Sequence, residues 1–240
     1  RRAAEAVLSG EADLALLPIE NTTAGSINET YDLLGEGGLT ITGEVIAAIE
    51  HCLLGLPGST VEELSAALSH PQALWQCEGF FRAHPHIRAQ AEFDTAGAAR
   101  KVKESGDRAL AAIASFAAAS TYGLEVLVRG IQTQAGNATR FVEMGLHAVP
   151  VAETARVKSS LLLVLADRPG ALGEVLQELA RRGLNLTKLE SRPIPGNPWS
   201  YRFYLDVDGH ASATVFQEAL AALGALTTDL RLLGTYPAAG

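Results

Sequence analysis

Ser69-His70-Pro71-Gln72-Ala73-Leu74-Trp75-Gln76-Cys77 joins an apolar run to a helix, and its reading decides the class of fold. Leu68 marks a short strand, and Pro71, with φ already set near the helical value, opens a helix. Ala73, Leu74, Cys77, Phe80 and Phe81 then recur at helical spacing and read as its inward face. Two further strings sit at junctions of the same kind: Pro18-Ile19-Glu20-Asn21-Thr22-Thr23 and Asn137-Ala138-Thr139-Arg140-Phe141. In an open α/β protein small anions bind at such junctions, because strand ends and helix N-termini aim backbone N–H groups at them.

Working outward, residues 13–19 form an apolar run that reads as a buried strand. A helix is expected from about residue 25 to 34, with Thr22 and Thr23 available as caps. Residues 39–56 read as one or two long strands closed by Pro57-Gly58. From Thr60 helices and strands alternate. Helix 61–67, the helix opened by Pro71, helix 96–103 capped by Asp94 or Thr95, and a helix from Ser115 to Gly123 interleave with strands at 87–93, 110–113, 125–131 and 140–145. That rhythm predicts a mostly parallel, helix-covered sheet. Residues 149–157 read as a linker. Beyond it strand 160–165, helix 171–181, strands 184–192 and 201–207, helix 214–223 and strand 230–234 give the ferredoxin-like order βαββαβ. Two domains are expected, an α/β domain over 1–148 and a second over 158–240.

The chain has 240 residues and a net charge of −8, from 19 basic and 27 acidic residues. No Lys/Arg run offers a track for a phosphate backbone, so nucleic acid is not an expected partner. The apolar stretches are interrupted well short of a membrane span, and no membrane association is expected. Cys52 and Cys77 are too few for a disulfide framework and read as reduced thiols of a cytoplasmic protein. No signal peptide is seen ahead of Arg1, and the chain opens inside a helix.

An anionic ligand meets a repelling net field here, so local groups must hold it. Helix N-termini after Asn21 and Ser69 would supply partial positive charge and free N–H donors. Arg140 supplies the full positive charge within the three strings, with a fork suited to carboxylate. Taken singly each has an ordinary reading: Thr22, Thr23 and Ser69 as caps, Asn21 as a turn residue. His70 reads as a turn or cap residue. Cys77 reads as core, Glu20 as a turn carboxylate or a general base, and His84-Pro85-His86 as a solvated loop with no ligand partner at metal spacing.

Together the strings resemble prephenate dehydratases. Pro18 to Asn28, Ser69-His70-Pro71-Gln72 with Gln76-Cys77, Tyr122-Gly123-Leu124 and Thr139-Arg140-Phe141 stand in that family's order and spacing. The resemblance implies a bilobed catalytic domain like the type II periplasmic binding proteins, one lobe from the middle of the chain and the other from its flanks. It implies a carbon–oxygen lyase that removes carbon dioxide and the ring hydroxyl from prephenate to give phenylpyruvate, with no cofactor and no metal. In that reading Thr139 is the catalytic proton donor. Asn21, Ser69 and Gln76 contact substrate, Arg140 anchors a carboxylate, and Phe141 packs. The resemblance also leads one to expect a strand and a Gly-Thr-Phe loop ahead of the first helix, which these residues do not contain.

The second domain resembles the ACT regulatory domain of the same enzymes. Asp167-Arg168-Pro169-Gly170-Ala171-Leu172 and Asn185-Leu186-Thr187 with Glu190-Ser191-Arg192-Pro193 resemble its phenylalanine-binding motifs. Feedback inhibition by phenylalanine follows, with the Gly170–Leu172 turn (Gly170, Ala171, Leu172) holding the carboxylate and Asn185, beside Leu186, the ammonium. A site shared between subunits implies a homo-dimer or homo-tetramer. Two other readings stand beside this one: an arogenate dehydratase, and a non-catalytic amino-acid sensor on the same scaffold. The intact Thr139-Arg140-Phe141 favours an enzyme.

Overall fold

The computed structural model describes residues 1–152 and 156–239. In chain order its elements begin with α1 (Arg2–Leu8), β1 (Ala15–Asn21), β2 (Gly25–Ser26), α2 (Asn28–Glu36), β3 (Thr40–Ala48) and β4 (Cys52–Gly55). Next come β5 (Ala66–Ser69), α3 (Pro71–Gln76), α4 (Glu78–Ala83), β6 (Arg88–Ala91), α5 (Thr95–Ser105), β7 (Leu110–Ala114), α6 (Phe116–Tyr122), β8 (Glu125–Val128) and β9 (Ala138–Gly145). The last stretch holds β10 (Val157–Leu165), α7 (Ala171–Arg181), β11 (Leu186–Pro193), β12 (Tyr201–Asp208), α8 (Thr214–Leu226) and β13 (Thr227–Pro237). They sort into two compact units, Ala48–Ala138 and the two flanks Arg1–Ala47 with Thr139–Gly240.

The central unit is a five-stranded sheet in the order β6-β5-β7-β4-β8. One face packs Cys52, Leu54, Leu68 and Ala112 on Ala98, Val102 and Ala118 of the helices. The other packs Leu53, Ala67, Ala111 and Ile113 on Cys77, Phe80 and Ile87. The expectation of a mostly parallel sheet is overturned. β5 runs parallel to β6 and β7, but β4 is antiparallel to both β7 and β8. A strand buried on both faces is apolar throughout whichever way its neighbours run, so the pattern carries no direction.

Several element boundaries also differ from expectation, three of them for evident physical reasons. Residues 61–63 make only a 3-10 turn, because Leu64 takes up extended backbone ahead of β5. The helix opened by Pro71 breaks at Cys77 (φ −103°, ψ 18°) into α3 and α4. α2 starts at Asn28 with no side-chain cap, because Gly25–Ser26 first pair with Glu20–Asn21 as a hairpin. Thr22 and Thr23 are therefore turn residues and not its caps.

The flanking unit contains two sheets. β2-β1-β9-β3 forms the first, with β9 antiparallel to β1. β11-β12-β10-β13 forms the second, the ferredoxin-like order expected from βαββαβ. Leu161, Leu163, Leu205 and Val207 point from the second sheet onto α7 and α8. Its opposite face does not meet water: Leu162, Tyr204, Leu233 and Tyr236 share a core with Leu34, Ile41, Val142 and Met144. The fit at this seam is close. A Cβ on Gly234 would lie 2.1 Å from the Ile41 carbonyl oxygen. Among the described residues no helix is long and apolar enough to cross a membrane.

Candidate active site

The β1–β9 ladder sets Asn21 opposite Thr139. Both are buried, and Asn21 Nδ2 donates to Thr139 Oγ1 at 2.9 Å. The amide cannot turn over, because its Oδ1 accepts the backbone N–H groups of Thr23 (3.0 Å) and Ala24 (2.9 Å). A carbonyl oxygen fixed by two donors leaves only the NH2 for Thr139. The hydroxyl oxygen thus receives a hydrogen bond, and its own hydrogen is turned away from Asn21. Accepting that bond also makes the hydroxyl a better donor, because negative charge on Oγ1 is stabilised.

Arg140, one residue on, points the other way, as alternation along a strand requires. Its Nε donates to Glu44 (2.6 Å), Nη1 to Asp206 (2.6 Å) and Nη2 to the Tyr236 hydroxyl (3.1 Å). Lys158 adds a second cation on Glu44 at 2.8 Å, and Ser160 hydrogen-bonds Tyr236 at 2.6 Å. The structure does not bring this guanidinium to Thr139. It places it in a buried network joining β9 and β3 to the second sheet, with all three nitrogens engaged, where sequence reading expected a substrate anchor. Burial pushes the Glu44 carboxyl up, but Lys158, Arg140 and the Ala239 N–H outweigh it and hold the group below its ordinary value. Burial also works against the charge on Arg140, yet Asp206, Tyr236 and Glu44 keep the guanidinium's pKa above its usual value.

In the central unit Ser69 is fully buried, and its Oγ donates to the Ile113 carbonyl at 2.6 Å. It fastens β5 to β7 in this arrangement and presents no free hydroxyl hydrogen to a ligand. The helix cap is instead His70, whose Nδ1 accepts from the Gln72 N–H at 3.2 Å. Gln76 lies half-buried at the end of α3, with Oε1 2.6 Å from His51 Nε2 and 3.3 Å from Asn137 Nδ2. His51 was not signalled by sequence: its partner is 25 residues away and no motif includes it. Cys77 is buried, and burial pushes its thiol up to about 12, which leaves a core residue and no nucleophile. His84 stacks on Phe80 and holds the Phe80 carbonyl, and His86 reaches the Val61 carbonyl. Among the described residues no three His, Cys, Asp or Glu gather as metal ligands.

In the second domain Gly170 takes the left-handed conformation (φ 85°) that starts α7, and Ala171 is buried behind it. Ala171 and Leu172 line a hollow of about 240 Å³ with Asp167, Trp199 and Tyr201. Asn185 lies at the other end of the sheet, its Nδ2 donating to Asp208 at 2.8 Å, next to Leu186, which pairs with Val207. Val164 and Arg202 end one side of the ladder, and Lys158 and Asp208 the other. Strand rise of ~3.3 Å per residue puts the two half-sites roughly 20 Å apart within one chain. Along β11 the even residues reach β1, β2 and α2 of the same unit: Lys188 pairs with Glu20 (2.7 Å), Glu190 accepts from Ser26, and Arg192 grips Asp32 with two nitrogens (3.0 and 2.9 Å).

The Asn21–Thr139 hydrogen bond joins two of the three strings. Residues 1–148 match the family model "Prephenate dehydratase", and 159–225 match "ACT domain". The chain belongs to the prephenate dehydratase family. It is 40% identical over 231 residues to the bifunctional chorismate mutase/prephenate dehydratase of Escherichia coli K12, covering 96% of this chain and 60% of that protein. The chain thus spans about three-fifths of that curated relative. The structure of prephenate dehydratase in complex with L-Phe from Arthrobacter aurescens superposes with a TM-score of 0.90 at 33% identity, over 99% of this chain and 79% of that one. A second structure, described as GqqA, a novel type of quorum quenching acylase, superposes with a TM-score of 0.89 at 37% identity, over 99% and 86%.

Proposed function

We propose that the chain is a prephenate dehydratase of the reducing cytoplasm, converting prephenate to phenylpyruvate and inhibited by phenylalanine. The reaction breaks the carbon–carbon bond to the ring carboxylate and the carbon–oxygen bond to the ring hydroxyl. The prephenate dianion becomes the phenylpyruvate anion, carbon dioxide and hydroxide. Aromatisation drives it, so the protein's work is to help the oxygen leave. Thr139 lends its hydrogen to that oxygen, in a bond that strengthens as charge builds there. The observation that carries this reading is the 2.9 Å bond from the fixed amide of Asn21 to Thr139 Oγ1, which leaves the hydroxyl hydrogen to point elsewhere. Asn21 is the orienting group and Gln76 a polar contact to the substrate. Ser69 and Arg140 support the scaffold that carries these residues.

Phenylalanine binding is proposed at the ACT domain by the Gly170–Leu172 turn with Asn185 and Leu186. The roughly 20 Å between these halves in one chain supports a site completed by a second copy, hence a homo-dimer or a pair of dimers. An amino acid is too short to touch both halves of one subunit.

The test is direct. Purified protein is given prephenate, and in parallel arogenate, and phenylpyruvate or phenylalanine is followed. Prephenate turnover that Thr139→Ala lowers by about 10²-fold or more, and Thr139→Ser largely retains, is the expected result. Equal turnover by wild type and Thr139→Ala removes Thr139 from the chemistry. Turnover of arogenate alone reassigns the substrate, and no turnover of either leaves the sensor reading. Added phenylalanine lowers the rate and raises the mass of the particle in solution.

A further inference from the structure

Gln76 repeats, in the central unit, the arrangement that fixes Asn21. Two donors converge on its carbonyl oxygen, His51 Nε2 at 2.6 Å and Asn137 Nδ2 at 3.3 Å. Both are buried, at 6% exposure each, while the Gln76 amide nitrogen makes no hydrogen bond among the described residues. With Oε1 doubly occupied, the side chain shows its surroundings an NH2 group only. An amide that offers only donors suits an anion, whereas the turned-over amide would set a carbonyl dipole against it. His51 is itself held by its backbone. Its N–H donates to Gln132 Oε1 at 3.0 Å, and its carbonyl accepts from Ile131 at 3.0 Å. The bond to Gln76 needs a proton on Nε2, which the cation and one neutral tautomer both supply. The backbone of the 131–133 loop closes the frame, since the Thr133 N–H donates to the Gln76 backbone carbonyl at 2.7 Å.

We infer that His51 is a positioning residue that locks the Gln76 amide with its NH2 outward, making it a dedicated donor to a carboxylate of the substrate. The inference rests on the proposed role of Gln76 in substrate binding. His51→Leu removes the shorter of the two bonds and leaves the amide free to turn. His51→Gln keeps an NH2 close to the original Nε2. Steady-state kinetics with prephenate are measured for both, alone and in a Gln76→Ala background, beside thermal unfolding of each variant. His51→Leu is expected to raise KM about 10-fold, the effect of losing a hydrogen bond to a charged group, with kcat within about threefold. His51→Gln restores most of the loss. In the Gln76→Ala background, His51→Leu adds nothing to KM, since the group it acts through is gone.

If Gln76→Ala leaves KM unchanged, the proposed substrate contact fails and the inference falls with it. If Gln76→Ala raises KM and His51→Leu does not, the contact stands and the positioning role alone is overturned. If the two effects on KM add in full, His51 acts by another route and the inference is likewise overturned.

Discussion

Replacing Arg140 with Met separates a scaffold role from a substrate role. The guanidinium is 11% exposed and holds Glu44, whose side chain is 1% exposed, and Asp206, at 12%. Removing one partner of a buried pair costs about 3–5 kcal/mol, because a carboxylate is left in low dielectric without its counter-charge. Each acid here keeps part of its shell: Glu44 retains Lys158 and the Ala239 N–H, and Asp206 retains Ser160. The lower end, about 3 kcal/mol, applies. For a protein of this size about 1 kcal/mol moves Tm by ~2–4 °C, so Arg140→Met should melt ~6–12 °C below wild type by calorimetry. KM for prephenate, measured well below the new Tm, should stay within about threefold. A Tm within 2 °C of wild type together with a tenfold rise in KM would refute this reasoning and return Arg140 to the substrate.

Glu44 makes stability sensitive to acid. Its carboxyl is held below its ordinary value by Lys158 and Arg140, so the unfolded chain binds the proton more readily. The contribution is complete above about pH 4.5 and drains away as pH falls through the folded value. Tm measured from pH 6 to 3 should fall along that range, and less steeply in Glu44→Gln. The Tyr31 hydroxyl is buried with no partner among the described residues, so Tyr31→Phe should leave urea stability unchanged or raise it by about 1 kcal/mol; a loss above that amount would show an unrecognised bond. Gly234→Ala drives a Cβ into the Ile41 carbonyl at a seam of backbone against backbone, so expression or Tm should collapse, while the open Gly173→Ala is tolerated.

The second domain was legible because each of its strands has one apolar face and each helix has 3.6-residue spacing. Phe203, Leu205 and Val207 against Arg202, Tyr204 and Asp206 placed β12 correctly. That alternation does not say what covers the polar face, which lies against β1, β2 and α2. Tyr204 and Asp206 are buried there, and Lys188, Glu190 and Arg192 spend their charge on Glu20, Ser26 and Asp32. Only a fold brings together residues 160 to 168 positions apart, so no local pattern announces these pairs. Arg140 is different, since part of its placement was readable. Starting the strand at Ala138, where β9 begins, puts Thr139 and Arg140 on opposite faces by simple parity. Asn21 and Thr139 were legible as motifs, but not their contact across 118 residues. His51 carried no signal, because a lone histidine beside an apolar strand looks like any other.

Asn21→Asp reverses the hydrogen bond on Thr139 with the least disturbance. The aspartate keeps an oxygen for the Thr23 and Ala24 N–H groups, so the turn survives, but its second oxygen stands where the NH2 stood and must accept from Thr139. The hydroxyl hydrogen is then drawn inward, away from any departing oxygen. kcat should fall about 10²–10³-fold at neutral pH, comparable with Thr139→Ala, in a protein whose circular dichroism and Tm match wild type. A kcat within threefold of wild type would contradict it.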